Sequence, residues 1–368
     1  MKQIFLMLNM FITFLGLGFL GYEVGMLSAI HDWTWIHIPV FMSYFVVSFF
    51  LHIIIHEAGH LVAGLLSGYS FSMFKLLRFI WVKESGKITL KKQRVPGMLG
   101  QCLMMPPEKI ASPPYALYHL GGIIANLIAA AGGYLMWMMP FPPLVKVGFL
   151  TFTVFGIILA MMNLIPVGPN DGMHLWKASK SIEYQIQFNQ LLQIHAGMIK
   201  GKTARELQGL LYFVGKEPLT DGNNTTMLSL EALKYTEKFE FDQAEMTLRP
   251  LWEQFDQLLD LQKFEVLKEY LFVLLLSHPD DEAVAKIVNN KWFKKQGNVK
   301  QADTKRVLAA YAFVKENDYE KAVRLLDEAE SYIEKAPTLT DQKIERKLND
   351  YLRKKIKEAG SDSVTDRI

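Results

Sequence analysis

Residues 38–66, IPVFMSYFVVSFFLHIIIHEAGHLVAGLL, are an apolar run interrupted by three histidines and one glutamate. A helix of about 20 apolar residues crosses the hydrocarbon core of a bilayer, and this run is long enough to do so. Near its end, His56, Glu57 and His60 form the pattern HExxH. An aspartate at the centre of a spanning helix costs about 2.5–3.5 kcal/mol, and a glutamate should cost a similar amount. Ionisable residues at that depth usually serve a function, so the run predicts a spanning helix that carries chemistry.

Three other apolar runs have a comparable length. They predict further spans at residues 4–30, 114–139 and 144–165. The first run has a signal peptide as its alternative, but the apolar core of a signal peptide is only about 7–15 residues and ends at a small-residue cleavage site. This run is longer and its cleavage site is weak, which favours a retained span. Residues 1–172 are therefore predicted to be an all-α polytopic membrane domain with four transmembrane helices.

Basic residues are concentrated in the loop between the second and third spans, residues 68–113. They are Lys75, Arg78, Lys83, Lys87, Lys91, Lys92, Arg94 and Lys109, against Glu84 and Glu108. The short connections at residues 31–37 and 141–143 contain no Lys or Arg. Because basic loops stay on the cytoplasmic side, this loop and both termini are predicted to be cytoplasmic in a multi-pass protein of the cell membrane.

The same loop contains the pattern of two β-strands. Phe71–Val82 is rich in aromatic and branched residues, and Lys87–Leu90 follows after the turn residues Glu84-Ser85-Gly86. Two such segments around a turn that contains glycine predict a small cytoplasmic β-hairpin.

The second half of the chain is more polar and is predicted to be helical. Apolar residues recur three and four positions apart in Leu228–Phe241, Phe264–Leu276, Val307–Phe313 and Ala322–Ile333. Two segments share a helix–turn–helix rhythm that is similar to tetratricopeptide-like repeats, namely Ala232–Leu248 and Ala309–Ala329. We expect a helical connector at residues 173–220, a soluble cytoplasmic α-helical repeat-like domain at 221–360, a linker at Gly215–Thr226 and a disordered tail at 361–368.

The composition excludes several classes of protein. The chain has 368 residues, a formal net charge of +3 and a single cysteine, Cys102. The charge is too small to predict nucleic-acid binding, and no nucleic-acid partner is expected. One cysteine cannot form a disulfide framework or a cysteine-based zinc cluster.

The HExxH pattern has a metal-binding interpretation. On a helix, residues four apart lie one turn above each other on the same face, so the imidazoles of His56 and His60 can meet one cation. Zinc binds neutral imidazole nitrogens, and a catalytic site needs a third protein ligand and an open position for water. Glu57 can then take a proton from that water. The alternative is a polar contact between helices.

A candidate for the third ligand lies after the fourth span, in NLIPVGPNDG at residues 163–172. With four spans, the second and the fourth run in the same direction, so Asp171 and the HExxH pattern approach the same leaflet. Pro166, Gly168, Pro169 and Gly172 end the helix and let the backbone turn the carboxylate inward. The alternative is an ordinary turn or helix-cap aspartate. The spacing leaves both interpretations of Asp171 open.

These motifs, together with GGIIAN at residues 121–126, resemble the site-2 protease family of intramembrane zinc metalloproteases. The resemblance covers about Val40–Gly172. It implies that His56, His60 and Asp171 hold one zinc ion per chain and that Glu57 is the general base. It also implies that Asn126 steadies the substrate or the developing oxyanion.

The chain departs from the family pattern at two positions. Many relatives have Leu-Asp-Gly where this chain has Asn170-Asp171-Gly172, and a proline is common within their Gly-x-x-x-Asn element. Three other histidines lie near the motifs. His52 is interpreted as a buried histidine with a backbone partner, in preference to an auxiliary ligand or a proton carrier. His119 and His174 flank the site region but are not expected to be ligands, and Glu23 has no assigned role.

The expected function is an intramembrane zinc metalloprotease, acting in regulated intramembrane proteolysis or in the maturation of a peptide signal. Its expected partners are the lipid bilayer, a membrane-bound or membrane-associated peptide or protein substrate, and a regulatory protein bound by the C-terminal helices. The alternative is a membrane-tethered helical-repeat scaffold or peptide-binding protein with a vestigial metal site.

Overall fold

The computed structural model of the chain describes residues 2–84, 86–92, 99–107, 115–211, 213–294 and 299–365. Most of these residues are helical. The chain divides into two compact units. The first unit contains residues 1–77 and 98–185, and the second contains residues 78–97 and 186–368.

The first unit is built on four long helices, α1 (Lys2–Ile30), α2 (Ile38–Leu66), α3 (Tyr115–Met138) and α4 (Pro143–Leu164). All four are long and apolar enough to cross a membrane. The prediction of four such helices is confirmed, with bounds close to the predicted ones, although residue 114 lies outside the described residues.

The outer faces of these helices are apolar and uncovered. Phe14 on α1 and Leu66 on α2 are each 77% exposed, and Ile128 on α3 is 67% exposed. Soluble monomers rarely expose contiguous apolar surfaces of this extent. These faces are therefore suited to an apolar environment, as the sequence analysis expects for membrane spans.

Helices α2 and α3 approach each other closely at two glycines. A Cβ atom added to Gly121 would lie 2.5 Å from the carbonyl oxygen of Gly59 and 2.6 Å from Cβ of Ala63. Small residues let two helix backbones approach to this distance. Because Gly59 lies inside the HExxH pattern, the contact holds that pattern directly against α3.

Two antiparallel strand pairs follow α2 along the chain. Strands β1 (Ser70–Leu76) and β4 (Gly100–Met105) pair so that Ser70 faces Met105 and Leu76 faces Gly100, with an irregularity between Phe71 and Met73. Strands β2 (Phe79–Glu84) and β3 (Lys87–Lys92) form the second pair. The expectation of antiparallel strands in this loop is confirmed.

The prediction of one strand over Phe71–Val82 is wrong, because the backbone turns at Leu77, where φ is +53°, and separates β1 from β2. Strand β4 was not predicted from the sequence. Within the predicted turn, Gly86 has a φ of +82°, a conformation that favours glycine, while Ser85 lies outside the described residues. Arg94 and Lys109 of the basic loop also lie outside them.

Helix α5 (Asp171–Lys180) completes the first unit, which extends to Gln185, beyond the boundary expected at residue 172. In the second unit, the further regular elements that the structure describes after residue 185 are helical. Two are short 3₁₀ helices, at Gln208–Leu210 and Phe255–Gln257. The α-helices are α6 (Ile182–Ile199, which begins in the first unit), α7 (Ala204–Leu207), α8 (Gly222–Thr236), α9 (Phe241–Glu253), α10 (Asp260–Ser277), α11 (Glu282–Asn289), α12 (Lys291–Lys294), α13 (Ala302–Val314), α14 (Tyr319–Ile333) and α15 (Leu339–Thr365).

The two predicted helix–turn–helix segments are the pairs α8–α9 and α13–α14. Each pair turns at a residue with positive φ, Phe239 at +63° in the first and Asn317 at +54° in the second. Each turn therefore reverses the chain within a few residues, and the paired helices pack against each other.

Two boundaries in this half differ from the expected ones. The side chain of Asp221 accepts a hydrogen bond from the backbone N–H of Asn223, so α8 begins at Gly222, inside the expected linker Gly215–Thr226. Helix α15 continues to Thr365, so residues 361–365 are helical where a disordered tail was expected. Extending an existing helix adds one hydrogen bond per residue, which favours continuation over a break at Gly360.

The core of the second unit is formed around α10, whose residues 270–275 are all buried. Two cations are buried with this core. The guanidinium of Arg306, which is 1% exposed, donates to Glu345 at 2.8 Å and to Glu269 at 3.1 Å, and Lys268 pairs with Glu265 and Asp303. Buried charges need such partners, because an uncompensated charge inside a protein is costly.

The α2–α3 contact predicts opposite effects for two glycine substitutions on α3. Gly121→Ala places a methyl group against the Gly59 backbone and should destabilise the first unit by about 1–3 kcal/mol through overpacking. Gly132, with nothing within 4 Å of an added Cβ, is the matched control. Gly132→Ala should stabilise by about 0.5–1 kcal/mol, because alanine loses less backbone freedom in a helix. Thermal unfolding in detergent micelles measures the Tm of both variants. Equal shifts in Tm would contradict the close contact between α2 and α3 at Gly121.

Candidate metal centre

The first part of the site lies on one face of α2. His56, Glu57 and His60 are 8%, 9% and 5% exposed, so all three are buried although they are ionisable. Their spacing places the two imidazoles one helical turn apart, with ring centroids separated by 4.6 Å. The face that carries the HExxH pattern therefore points into the first unit and away from its uncovered apolar surface.

Asp171 reaches this face through a turn at the end of α4. The side chain of Asn170 donates to the carbonyl oxygens of Met162 and Ile165, both at 2.7 Å, and accepts from the N–H of Met173 at 2.9 Å. One amide thus ends α4, caps α5 and holds the backbone that carries Asp171. The turn also passes through Gly168, whose φ of +72° is a conformation that favours glycine.

Gly172 allows the same turn to close. A Cβ atom at this position would lie 2.0 Å from the carbonyl oxygen of Leu164. The start of α5 can therefore pack against the end of α4 only because residue 172 has no side chain.

Asp171 and the two imidazoles converge. His56 Nε2 lies 3.1 Å from Asp171 Oδ2, His60 Nε2 lies 3.3 Å from the same oxygen, and the two Nε2 atoms are 3.0 Å apart. Three atoms held 2.0–2.1 Å from a tetrahedral zinc ion would be separated by roughly 3.3 Å. The three side chains can therefore hold a metal ion, and their spacing and donor types fit zinc. Asp171 begins α5, as the helix-cap interpretation expects, but its carboxylate faces the two imidazoles.

The tautomer of His60 is set by a backbone group. His60 Nδ1–H donates to the carbonyl oxygen of Tyr118 at 2.8 Å, since a carbonyl can only accept. In a neutral imidazole this leaves the lone pair on Nε2, the atom that faces Asp171. The hydroxyl of Tyr118 donates to the carbonyl oxygen of Cys102 at 2.7 Å, which fixes that residue in turn.

A third histidine supports the carboxylate. His119 Nδ1 lies 3.5 Å from Asp171 Oδ1, the oxygen that does not face the other two imidazoles, and its ring stacks on His174 with centroids 5.3 Å apart. Burial alone would raise the pKa of Asp171. The charge that His60 carries when it is protonated and hydrogen bonds from the surrounding histidines outweigh burial and hold that pKa well below its usual value. The group is therefore a carboxylate, the form that binds metal.

Glu57 lies beside this cluster and against β4. Its carboxylate accepts a hydrogen bond from the backbone N–H of Cys102. A Cβ atom at Gly100 would lie 2.8 Å from Glu57 Oε1 and 3.0 Å from Ile53 Cγ2. The absence of a side chain at Gly100 therefore leaves the space that the carboxylate occupies.

Asn126 and His52 lie behind His56. The terminal amide of Asn126 is 3.1 Å from His52 Nδ1 and 3.5 Å from His56 Nδ1, and both Asn126 and His52 are at most 1% exposed. His52 Nε2–H donates to the carbonyl oxygen of Phe152 at 2.8 Å. The interpretation of His52 as a buried histidine with a backbone partner is confirmed.

The structure thus brings together His56, His60 and Asp171 as the sequence analysis expected, with Glu57 and Asn126 adjacent to them. His119, Tyr118 and Gly100 are also parts of the site, and none of them was predicted from the sequence to belong to it. Of these three residues, only His119 could have been suspected from the sequence, because it lies between the HExxH and GGIIAN motifs. Tyr118 acts through its backbone carbonyl, and Gly100 acts by leaving space for a carboxylate. Neither property has a local sequence pattern.

No protein-family model matches this chain, and searches of curated proteins and of solved structures also found no match. The geometry of the site and the motifs of the sequence are therefore the basis for its function.

Removing the carboxylate of Asp171 should remove the metal. Asp171→Asn keeps the shape but replaces a charged oxygen with a neutral amide, so this variant should bind less zinc than the wild-type chain under the same loading conditions. Asp32→Asn removes a carboxylate from the connection between α1 and α2 and should leave zinc unchanged. Metal analysis of the purified full-length chain by mass spectrometry measures both variants. Full zinc content in Asp171→Asn would exclude Asp171 as a ligand.

The hydrogen bonds of the Asn170 side chain predict a second effect on zinc binding, smaller than that of removing the Asp171 carboxylate. Asn170→Ala removes the hydrogen bonds that hold Asp171 in place, and zinc affinity should fall about 10–100-fold, as for other supporting residues of metal sites. Asn163 is the matched control, since within the described part of the chain its side chain donates to Leu159 of its own helix. Competition with a chromophoric chelator measures the zinc Kd. Equal Kd values for Asn170→Ala and Asn163→Ala would contradict the role of the Asn170 amide.

Proposed function

We propose that this protein is a polytopic membrane zinc metalloprotease that hydrolyses a peptide bond within or beside the bilayer. The observation that carries the proposal is the convergence of His56, His60 and Asp171 on one point beside Glu57, inside a unit made of four apolar helices. The resemblance of the HExxH, GGIIAN and NLIPVGPNDG motifs to the site-2 protease family supports the same conclusion.

The residues of the site have distinct tasks in this proposal. His56, His60 and Asp171 would hold the zinc ion, which would supply polarisation of the scissile carbonyl and a lowered pKa of water. Glu57 accepts the proton of the attacking water and delivers it to the leaving amine. The apolar surroundings strengthen each of these electrostatic interactions relative to water.

Two conditions follow for the substrate. A helical peptide hides its carbonyl groups in its own hydrogen bonds, so the segment to be cleaved must unwind before it reaches the metal. Water must also reach the site, and the Asp171 side chain, 15% exposed, is the most accessible of the three ligands. We place the opening on the cytoplasmic side, where the positive-inside rule puts the end of the second and fourth spans.

Glu57→Gln tests the mechanism. The amide keeps the size of the carboxylate but cannot take a proton, so turnover should fall about 10²–10⁴-fold while zinc content stays at the wild-type level. Mass spectrometry of membrane-derived peptide fragments from cells that express either form measures the loss and does not require an identified substrate. Glu23→Gln is the control, because it neutralises an acid on α1 outside the described site. Undiminished fragments with Glu57→Gln would overturn the mechanism.

The second unit supports a role in recognition. Its pairs α8–α9 and α13–α14 have the helix–turn–helix form that resembles tetratricopeptide-like repeats, and we infer that they bind a regulatory protein or peptide. The alternative function, a membrane-tethered scaffold with a vestigial metal site, rests on the same helices. Two results together would favour that alternative. The chain would still bind its partner after zinc is removed, and Glu57→Gln would leave the peptide fragments unchanged.

A further inference from the structure

We propose that Asn126 and His52 are positioning residues for His56, and that they hold its imidazole in the tautomer that presents Nε2 to the metal. This inference rests on the proposed metal site. It assigns Asn126 a task different from contact with the substrate, and it gives His52 a task beyond filling space.

The three side chains form a chain of hydrogen-bonding groups across three helices. It begins at the Phe152 carbonyl oxygen on α4, passes through the His52 ring on α2 and the Asn126 amide on α3, and ends at His56 Nδ1. The Asn126 amide therefore lies on the Nδ1 side of His56, whereas Nε2 of the same ring faces Asp171.

The donors and acceptors available to each group fix the direction of this chain. His52 Nε2 must donate to the Phe152 carbonyl, so Nδ1 of a neutral His52 must accept. The group of Asn126 that faces His52 is then its NH₂, and the group that faces His56 is its carbonyl oxygen. That oxygen accepts from His56 Nδ1–H, which leaves the lone pair of His56 on Nε2.

This arrangement is the Asn126 amide turned by 180° from the orientation in the structure, where Oδ1 faces His52 and Nδ2 faces His56. The unturned amide would need a doubly protonated His52 in an apolar interior and would place the proton of His56 on its metal-binding nitrogen. The turned amide gives His52 Nδ1 a donor and His56 Nδ1–H an acceptor while both rings stay neutral. We therefore assign the turned orientation to the metal-bound protein.

Two glycines supply independent evidence that the positions of both rings are built into the fold. A Cβ atom at Gly122 would lie 2.6 Å from His56 Nδ1, and one at Gly156 would lie 2.5 Å from His52 Cε1. Each ring thus fills the space that a missing side chain leaves on the neighbouring helix. The ring of His52 also stacks on Phe152 with centroids 4.2 Å apart.

The test is the zinc Kd of the full-length chain, measured by chelator competition in detergent. Asn126→Leu removes both hydrogen-bonding groups at nearly constant volume, and its Kd should rise about 10–100-fold. Asn126→Asp keeps an oxygen that accepts from His56 Nδ1–H but loses the NH₂ that donates to His52, so its Kd should lie between those of the wild type and Asn126→Leu. His52→Phe keeps the ring but removes its nitrogens, and its Kd should rise less than that of Asn126→Leu.

Further variants control for packing. Thr151 is a buried polar residue of α4 whose hydroxyl donates to Val147 of its own helix, so Thr151→Val should leave the Kd unchanged. Gly156→Ala removes no polar group but displaces His52, and it should raise the Kd where Gly132→Ala does not. Histidine ¹⁵N NMR shifts of the zinc-loaded protein should show His56 protonated at Nδ1, and Asn126→Leu should weaken that signature.

The outcomes are distinguishable. A wild-type chain that binds no zinc overturns the proposed function itself. A wild-type chain that binds zinc, with Asn126→Leu and His52→Phe at the wild-type Kd, overturns only this inference. Loss of cleavage in Asn126→Leu at unchanged zinc Kd would also overturn it and would assign Asn126 to the substrate. Equal zinc loss in Asn126→Leu and Asn126→Asp would show that the carbonyl oxygen of Asn126 is not the acceptor.

Discussion

The approach of one carboxylate to two imidazoles is the constraint on which the rest of the first unit depends. Asp171 lies 115 positions from His56 along the chain, yet its Oδ2 is 3.1 Å from His56 Nε2. That distance requires α4 to end at the right level, the backbone to turn at Gly168, and Asn170 to join the end of α4 to the start of α5. Three groups that would each be costly alone in an apolar interior thus direct their lone pairs at one point, where a bound cation would satisfy them together.

Glycines make this site possible because polar rings need space between closely packed helices. Gly59 and Gly121 bring α2 and α3 into backbone contact, and Gly122 and Gly156 leave room for the rings of His56 and His52. The same helices present large apolar side chains on their outer faces. Glycines and histidines therefore lie side by side around the site, and the outer surface of the unit carries large apolar side chains suited to lipid.

Most of the helical architecture could be predicted, because helix formation leaves a local pattern in the sequence. The four apolar helices and the pairs α8–α9 and α13–α14 follow from run length and from apolar spacing. The turn at Leu77 could not be predicted, since nothing in a leucine marks a positive φ. Strand β4 was missed because its partner is β1, and pairing between distant segments has no local signal. The burial of Arg306 was missed for the same reason, as its carboxylate partners lie on other helices.

For the candidate site, the residue types and the spacing of HExxH were sufficient to name His56, Glu57 and His60, because the geometry of an α-helix relates those positions directly. For Asp171 the residues left two interpretations open, and the resemblance named it as a ligand. Its place beside the imidazoles depends on how the turn packs against α4, which no spacing along the chain encodes. The same is true of Asn126, whose amide lies on the Nδ1 side of His56, whereas Nε2 of that ring faces Asp171. Local hydrogen bonding makes a helix predictable from sequence, whereas the side of a ring that a neighbouring helix contacts is set only when the helices pack.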